Sequence, residues 1–249
     1  PFYLSGSPDK TGSVVRGRFT RLVAPVTSIL KRHDYPKSVD RVLAEAMAIS
    51  ACLSTTFKFE GIFTLQAKGD GPVKTLFADV TDKGHMRAYA AFDDALIKAV
   101  PDKSDTPLSA IMGSGYTAFT IEQTDPHQRY QGIVDLGGDS IADAAMTWFQ
   151  NSEQLHTDFI TVAGKINSEW VACAIMLQKV AADGGTNQED SVANADEIWQ
   201  AAKILLRSVK RDELLDSHLK AETLLFRLFH ELGVHSQTAR PILDRCRCS

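Results

Sequence analysis

The chain has 249 residues, a formal charge of −4, and 44% apolar against 23% charged residues. That make-up excludes a coiled coil, a low-complexity polymer and a disulfide scaffold, for which four cysteines are too few. The mildly negative charge argues against a general nucleic-acid binder, and no apolar run reaches the roughly 18 residues of a membrane span. With no signal-like start either, a cytoplasmic location is expected, with neither nucleic acid nor membrane as a partner.

Residues 14–23 read as an opening strand, preceded by the turn-like SGSPDKTG. A short helix follows from Pro25 to about Lys31, and Pro36 interrupts the pattern because the residue before proline avoids the helical region. The helix over 38–57 is the clearest element: Val39, Val42, Leu43, Ala46, Met47, Ser50, Leu53 and Phe57 recur at three- and four-residue steps. The period then drops to two, giving strands at 61–67, 73–80 and 85–92 joined by the turns GDGP and TDKG. Residues 93–112 form a partly helical connection, and strands resume at 116–122 and 129–135. Ser140 caps a helix over 141–150 with Asp143 as its capping-box partner. Strands at 158–165 and 170–179 complete an α+β domain of antiparallel sheets and packed helices, residues 1–180.

The composition changes at 181–191, AADGGTNQEDS, which is linker-like. A small helical linker domain is expected over 181–240, with one apolar pattern through Ile198, Ala202, Leu205 and Leu206. A second runs through Leu224, Leu225, Leu228 and Phe229, with a short helical turn at 212–217 between them. Gly233 should end the last helix, and the tail should be extended or loop-like.

Three short motifs imitate enzyme signatures. Gly69-Asp70-Gly71-Pro72-Val73-Lys74-Thr75 lacks the glycine that a phosphate loop places before its lysine, and a strand follows it. Gly113-Ser114-Gly115 is likewise followed by a strand, not by the helix whose N-terminus a dinucleotide needs. His230 and His235 are five apart, with Gly233 between them, so they do not share a helix face as zinc-hydrolase histidines do. No catalytic site is expected.

Cys52 lies in the apolar helix and Cys173 in a strand, where buried inert thiols are expected. Cys246 and Cys248 differ, standing in Arg245-Cys246-Arg247-Cys248-Ser249, where neighbouring arginines favour thiolates. Taken alone, this CxC is a metal half-site, a redox pair or two incidental cysteines; a closed zinc site needs four ligands.

His33-Asp34-Tyr35-Pro36, Gly69-Asp70-Gly71-Pro72, Gly113-Ser114-Gly115-Tyr116, Arg129-Tyr130-Gln131-Gly132, Ser152-Glu153-Gln154, Leu177-Gln178 and the terminal CxC occur in a specific order and spacing. In these the chain resembles the heat-shock protein 33 family of redox-regulated holdase chaperones, over nearly its whole length. The resemblance implies an ATP-independent chaperone that binds unfolding proteins under oxidative stress, and not an enzyme. It implies that Cys246 and Cys248 are zinc ligands and redox-active thiols, with a later CxxC as the other half of the site. That second pair is absent here, so residues 241–249 read as the start of an incomplete zinc module, and Zn2+ belongs to the reduced full-length protein. Oxidation would expel the metal, unfold the module and release the linker helices from an apolar client surface, with homodimer formation on activation. Leu205, Leu206, Leu224, Leu225, Leu228 and Phe229 are the candidates for client binding or linker packing. Two alternatives stand beside this: an RNA-associated or architectural zinc protein with a basic face through Arg16, Arg18, Arg21 and the terminal arginines Arg245 and Arg247, and a thiol-dependent enzyme using Cys246 or Cys248.

Overall fold

The structure, a computed structural model, describes residues 1–9, 13–101, 103, 106–125, 128–180 and 188–245, with side chains in the last segment from Asn194 onward. In chain order the elements are β1 (Phe2–Leu4), β2 (Val15–Leu22), α1 (Ala24–Lys31), α2 (Lys37–Ser54), β3 (Gly61–Gly69), β4 (Val73–Thr81) and β5 (His85–Phe92). Next come α3 (Asp94–Ile97), α4 (Leu108–Met112), β6 (Gly115–Gln123), β7 (Arg129–Asp135), α5 (Ile141–Trp148), β8 (Thr157–Ile166) and β9 (Glu169–Lys179). The chain closes with α6 (Gln188–Ser208), α7 (Arg211–Leu215), α8 (Ala221–Phe229), β10 (Val234–Ser236) and β11 (Leu243–Asp244).

The strands form two sheets. The first has the order β10-β1-β2-β9-β8 and the second β11-β5-β4-β3-β6-β7. All pairings are antiparallel except β11 with β5. The long helix α2 lies between the sheets, touching β2, β8 and β9 on one side and β3, β4 and β5 on the other. Its apolar stripe is wide enough for this double contact, since thirteen of its eighteen residues are buried. The α+β class expected from the change of period is what forms.

Strand β9 organises the rest. A strand alternates its side chains between faces, and β9 is buried on both. Ala172, Ala174 and Met176 join α1, α2 and the second sheet in one core. Cys173, Ile175 and Leu177 point the other way into a second core shared with α6, α7 and α8.

Several motifs hold the body together. Ser140 and Asp143 form the expected capping box at the start of α5, and a π-helical turn, Phe149–Glu153, continues that helix. The two glycine motifs pack against each other. The Asp70 carboxylate accepts from the Ser114 N–H at 2.7 Å, and Gly71 N–H donates to the Met112 carbonyl at 2.8 Å. A Cβ on Gly69 would stand 2.0 Å from the Met112 carbonyl oxygen, and one on Gly115 would stand 1.9 Å from that of Lys68. The glycines therefore serve close approach of two backbones. Arg129-Tyr130-Gln131-Gly132 meets Ser152-Glu153-Gln154: the Tyr130 hydroxyl donates to Glu153 at 2.8 Å, and Gly132 leaves room for the Trp148 indole. In His33-Asp34-Tyr35-Pro36, the Tyr35 hydroxyl accepts from the Ala90 N–H at 3.1 Å.

Candidate functional site: the covered face of the first sheet

The outer face of the first sheet is apolar across its width. Phe2 and Leu4 of β1, Val15 of β2 and Cys173, Ile175 and Leu177 of β9 are each fully buried, with Ile160 and Val162 of β8 partly so. Alternation along these four antiparallel strands produces such a surface where most residues of one parity are apolar, with Arg21 and Asp158 standing at its margins. What covers it is the helical segment after residue 187. The sequence-derived candidates all face this surface: Leu206, Leu224 and Phe229 are fully buried, Leu225 and Leu228 nearly so, and Leu205 partly. Phe229 stacks on Phe2, ring centroids 5.7 Å apart, and Phe2 itself lies flat over Gly17, where a Cβ would come within 2.0 Å of the ring.

The cover is registered by polar contacts at its margins. Arg21 of β2 donates from Nε to the Leu214 carbonyl and from Nη2 to that of Glu213, both at 2.9 Å, and from Nη1 to that of Leu219. One guanidinium thus satisfies the carbonyls at the end of α7 and the turn into α8, groups that a helix terminus otherwise leaves unpaired. Arg207, in the last turn of α6, contacts both oxygens of the buried Asp158 at 3.0 and 3.1 Å. Lys179 pairs with Asp196, and Arg211 donates to the Ala163 carbonyl at 2.6 Å.

Beyond α8 a 3-10 turn ends at Gly233, whose φ of +64° suits glycine. The chain then straps both sheets. β10 extends the first sheet beside β1, and β11 extends the second beside β5. Asp244 accepts from both Arg32 Nη atoms, at 2.5 and 2.7 Å, and from the Ser28 hydroxyl at 2.6 Å. Partial burial alone would raise the Asp244 carboxyl, yet these hydrogen bonds hold it below the usual carboxylate range. Residues 237–242 cross between the two sheets beside an open cleft of about 1320 Å³, bounded by Phe2, Arg18, Phe57, Leu225 and Ile242.

Cys246 and Cys248 lie outside the described residues. Cys52 and Cys173 are free and buried, as the sequence implied. Burial pushes both thiols up to about 12, so neither offers a thiolate to metal or oxidant. Among the described residues no three His, Cys, Asp or Glu side chains are grouped to hold a metal ion. Of the arginines in the RNA-binding reading, Arg16 is exposed, Arg18 is buried, Arg21 is occupied by the helix carbonyls, and Arg247 lies outside the described residues. Among the described residues no helix is long and apolar enough to cross a membrane.

Sequence reasoning identified the helical half of this interface but not its sheet half. The continuous apolar run Val171–Leu177 was the available signal, since a strand with no polar alternation is a strand covered on both faces.

Comparison with known proteins gives a consistent picture. The model of the Hsp33 protein family matches residues 10–249. The 33 kDa chaperonin of Caulobacter vibrioides is 34% identical over 240 residues, spanning 94% of this chain and 78% of the relative. That of Pseudomonas fluorescens is 34% identical over 237 residues, spanning 95% and 74%. A crystal structure of the 33 kDa chaperonin from Thermotoga maritima, a heat shock protein 33 homolog, superposes with a TM-score of 0.73. It matches 100% of this chain and 80% of that one at 20% identity, a likeness of fold.

Proposed function

The chain belongs to the Hsp33 family, and from that premise and the covered face we propose that it is a redox-regulated, ATP-independent holdase whose client surface is the outer face of the first sheet. The observation that carries the reading is the pairing of a largely apolar sheet face with a cover fixed at its margins by ion pairs and carbonyl hydrogen bonds. A holdase needs a surface that accepts varied apolar segments when open and is hidden when closed. Lifting α6, α7 and α8 exposes Phe2, Leu4, Val15, Ile175 and Leu177 while the first core stays intact. Its activity is binding without turnover, in the cytoplasm. Its partners are unfolding proteins and, on activation, a second copy of itself.

In this reading residues 1–180 are the chaperone body, 181–240 the cover, and 241–249 the start of a zinc-binding redox module. Cys246 and Cys248 supply two thiolates, and the buried Cys52 and Cys173 cannot complete the set, so this sequence carries half of a four-thiolate site. When bound, zinc would supply folding energy to the module that follows Asp244. Oxidation of the two thiolates to a disulfide, with a peroxide taking the two electrons, would remove both ligands. The strap ties that module to the sheets two residues before Cys246, through Arg32, Ser28 and Asp244, so its loss acts on the same segment that leads back to α8.

The test is suppression of aggregation of a chemically unfolded client, followed by light scattering, with the protein reduced and then peroxide-treated. Suppression should rise on oxidation and fall again on re-reduction. Equal suppression in both states would overturn the redox switch.

A further inference from the structure

The cleft beside residues 237–242 holds a charge that client binding does not use. Arg18 of β2 lines it, with only 9% of the residue exposed. Its guanidinium donates from Nη1 to the Gly17 carbonyl at 3.0 Å and from Nε to the Thr55 carbonyl at 3.4 Å. An arginine carries five N–H donors, so one on Nη1 and both on Nη2 are left over. Among the described residues no carboxylate comes within ion-pair distance of Arg18, whereas Arg41, similarly enclosed, pairs with Glu45. Desolvation accordingly draws Arg18 below the ordinary arginine range. A cation taken out of water without a counter-charge is costly, and a bound anion would offset that cost.

The rest of the cleft limits what that anion can be. Thr55 caps the end of α2, and two residues later Phe57 begins an apolar wall with Phe59. Both rings, like Ile242 of the strap, line the cleft and are only partly buried. The other charged side chains lining it balance in sign and are exposed: Lys58, Lys220 and Arg240 against Glu60, Asp82 and Glu222. Arg21 is already satisfied by helix carbonyls. One enclosed positive charge calls for one negative charge, and a planar guanidinium matches the two oxygens of a carboxylate. The apolar wall calls for an apolar remainder. A peptide ending in an apolar residue has a similar terminus, but it would set backbone N–H and C=O groups against those rings without partners. At about 1320 Å³ the space exceeds what a small amphiphile needs.

We infer that this cleft binds a fatty monocarboxylate, with its two oxygens on the Arg18 guanidinium and its chain against Phe57, Phe59 and Ile242. The inference is separate from the holdase reading, and its failure would leave client binding untouched.

Calorimetric titration of the reduced chain with decanoate, decanol and acetate tests it, each ligand kept below its aggregation limit. Decanoate should bind at least tenfold more tightly than either of the others. Arg18→Gln should erase the preference for decanoate over decanol, and Arg18→Lys should keep part of it. Saturating decanoate should slow amide exchange at 55–60 and 237–242 in the parent. The parent titrations and this exchange footprint need no variant, so they decide the matter even where Arg18→Gln folds poorly. Equal affinity for decanoate and decanol, or a preference that survives Arg18→Gln, would overturn the assignment. So would protection confined to α6–α8, or selective binding of an apolar peptide with a free C-terminus in place of decanoate.

Discussion

Replacing Arg207 with alanine should loosen the cover far more than replacing its partner Asp158 with leucine. The pair is asymmetric, with the Asp158 side chain 4% exposed and that of Arg207 67% exposed. Arg207→Ala leaves a carboxylate beneath α6 without its cation. Asp158→Leu leaves a guanidinium that is already mostly hydrated and adds an apolar group to an apolar face. Breaking a fully buried pair costs about 3–5 kcal/mol. With water already reaching the arginine, about 2 kcal/mol is the share expected for the docked state. At about 1.4 kcal/mol per tenfold, that is roughly a 30-fold increase in the open population. Asp158→Leu should shift it by less than about 0.5 kcal/mol. Amide hydrogen exchange along α6 measures the opening directly, and aggregation suppression in reductant measures its consequence. Equal exchange in the two variants, or faster exchange in Asp158→Leu, would refute the reasoning.

Arg21→Ala removes the guanidinium that donates to the carbonyls of Glu213, Leu214 and Leu219; exchange in α7 and α8 should accelerate by about 2–3 kcal/mol of local stability, with the second sheet unaffected. Gly17→Ala places a methyl 2.0 Å from the Phe2 ring, and such overpacking should cost about 1–3 kcal/mol and lower Tm by several degrees in a thermal melt. Asp40 has a buried carboxylate oxygen without a partner. Desolvation, aided by Asp34 and opposed by Lys165, raises its pKa from 3.8 to about 7. A raised carboxyl pKa means that the folded state binds more protons than the unfolded between those values, so its contribution to stability falls as pH rises through that window. Asp40→Asn should flatten that part of the stability–pH curve and be more stable than the parent at pH above about 7 in denaturant titrations; an unchanged curve would contradict this.

Much of the fold was legible because its signals are local. Periods of two and 3.6 placed most of the elements, and Ser140 with Asp143 announced a cap that forms as expected. The covered face was half legible. Leu224, Leu225, Leu228 and Phe229 show a helical stripe, but nothing local says that Phe2 and Leu4 form the strand they pack against. β1 is three residues long and is fixed by β2, β10 and Phe229, all remote in sequence. β10 and β11 were invisible as strands for the same reason: two- and three-residue segments carry no period and exist only because sheet edges accept them. GDGP read correctly as a turn, and Gly113-Ser114-Gly115 as the approach to a strand, while their mutual packing needed the fold, since Asp70 and Ser114 are 44 residues apart.

The central claim is that the cover leaves the first sheet while the body stays folded, and two native cysteines can report it. Cys173 lies in the second core beneath the helices, and Cys52 lies in the first core. A short alkylation pulse after oxidation, read by mass spectrometry, should label Cys173 and spare Cys52 at the point where client protection appears. Client protection with Cys173 still shielded, or labelling of both thiols in step, would contradict the account.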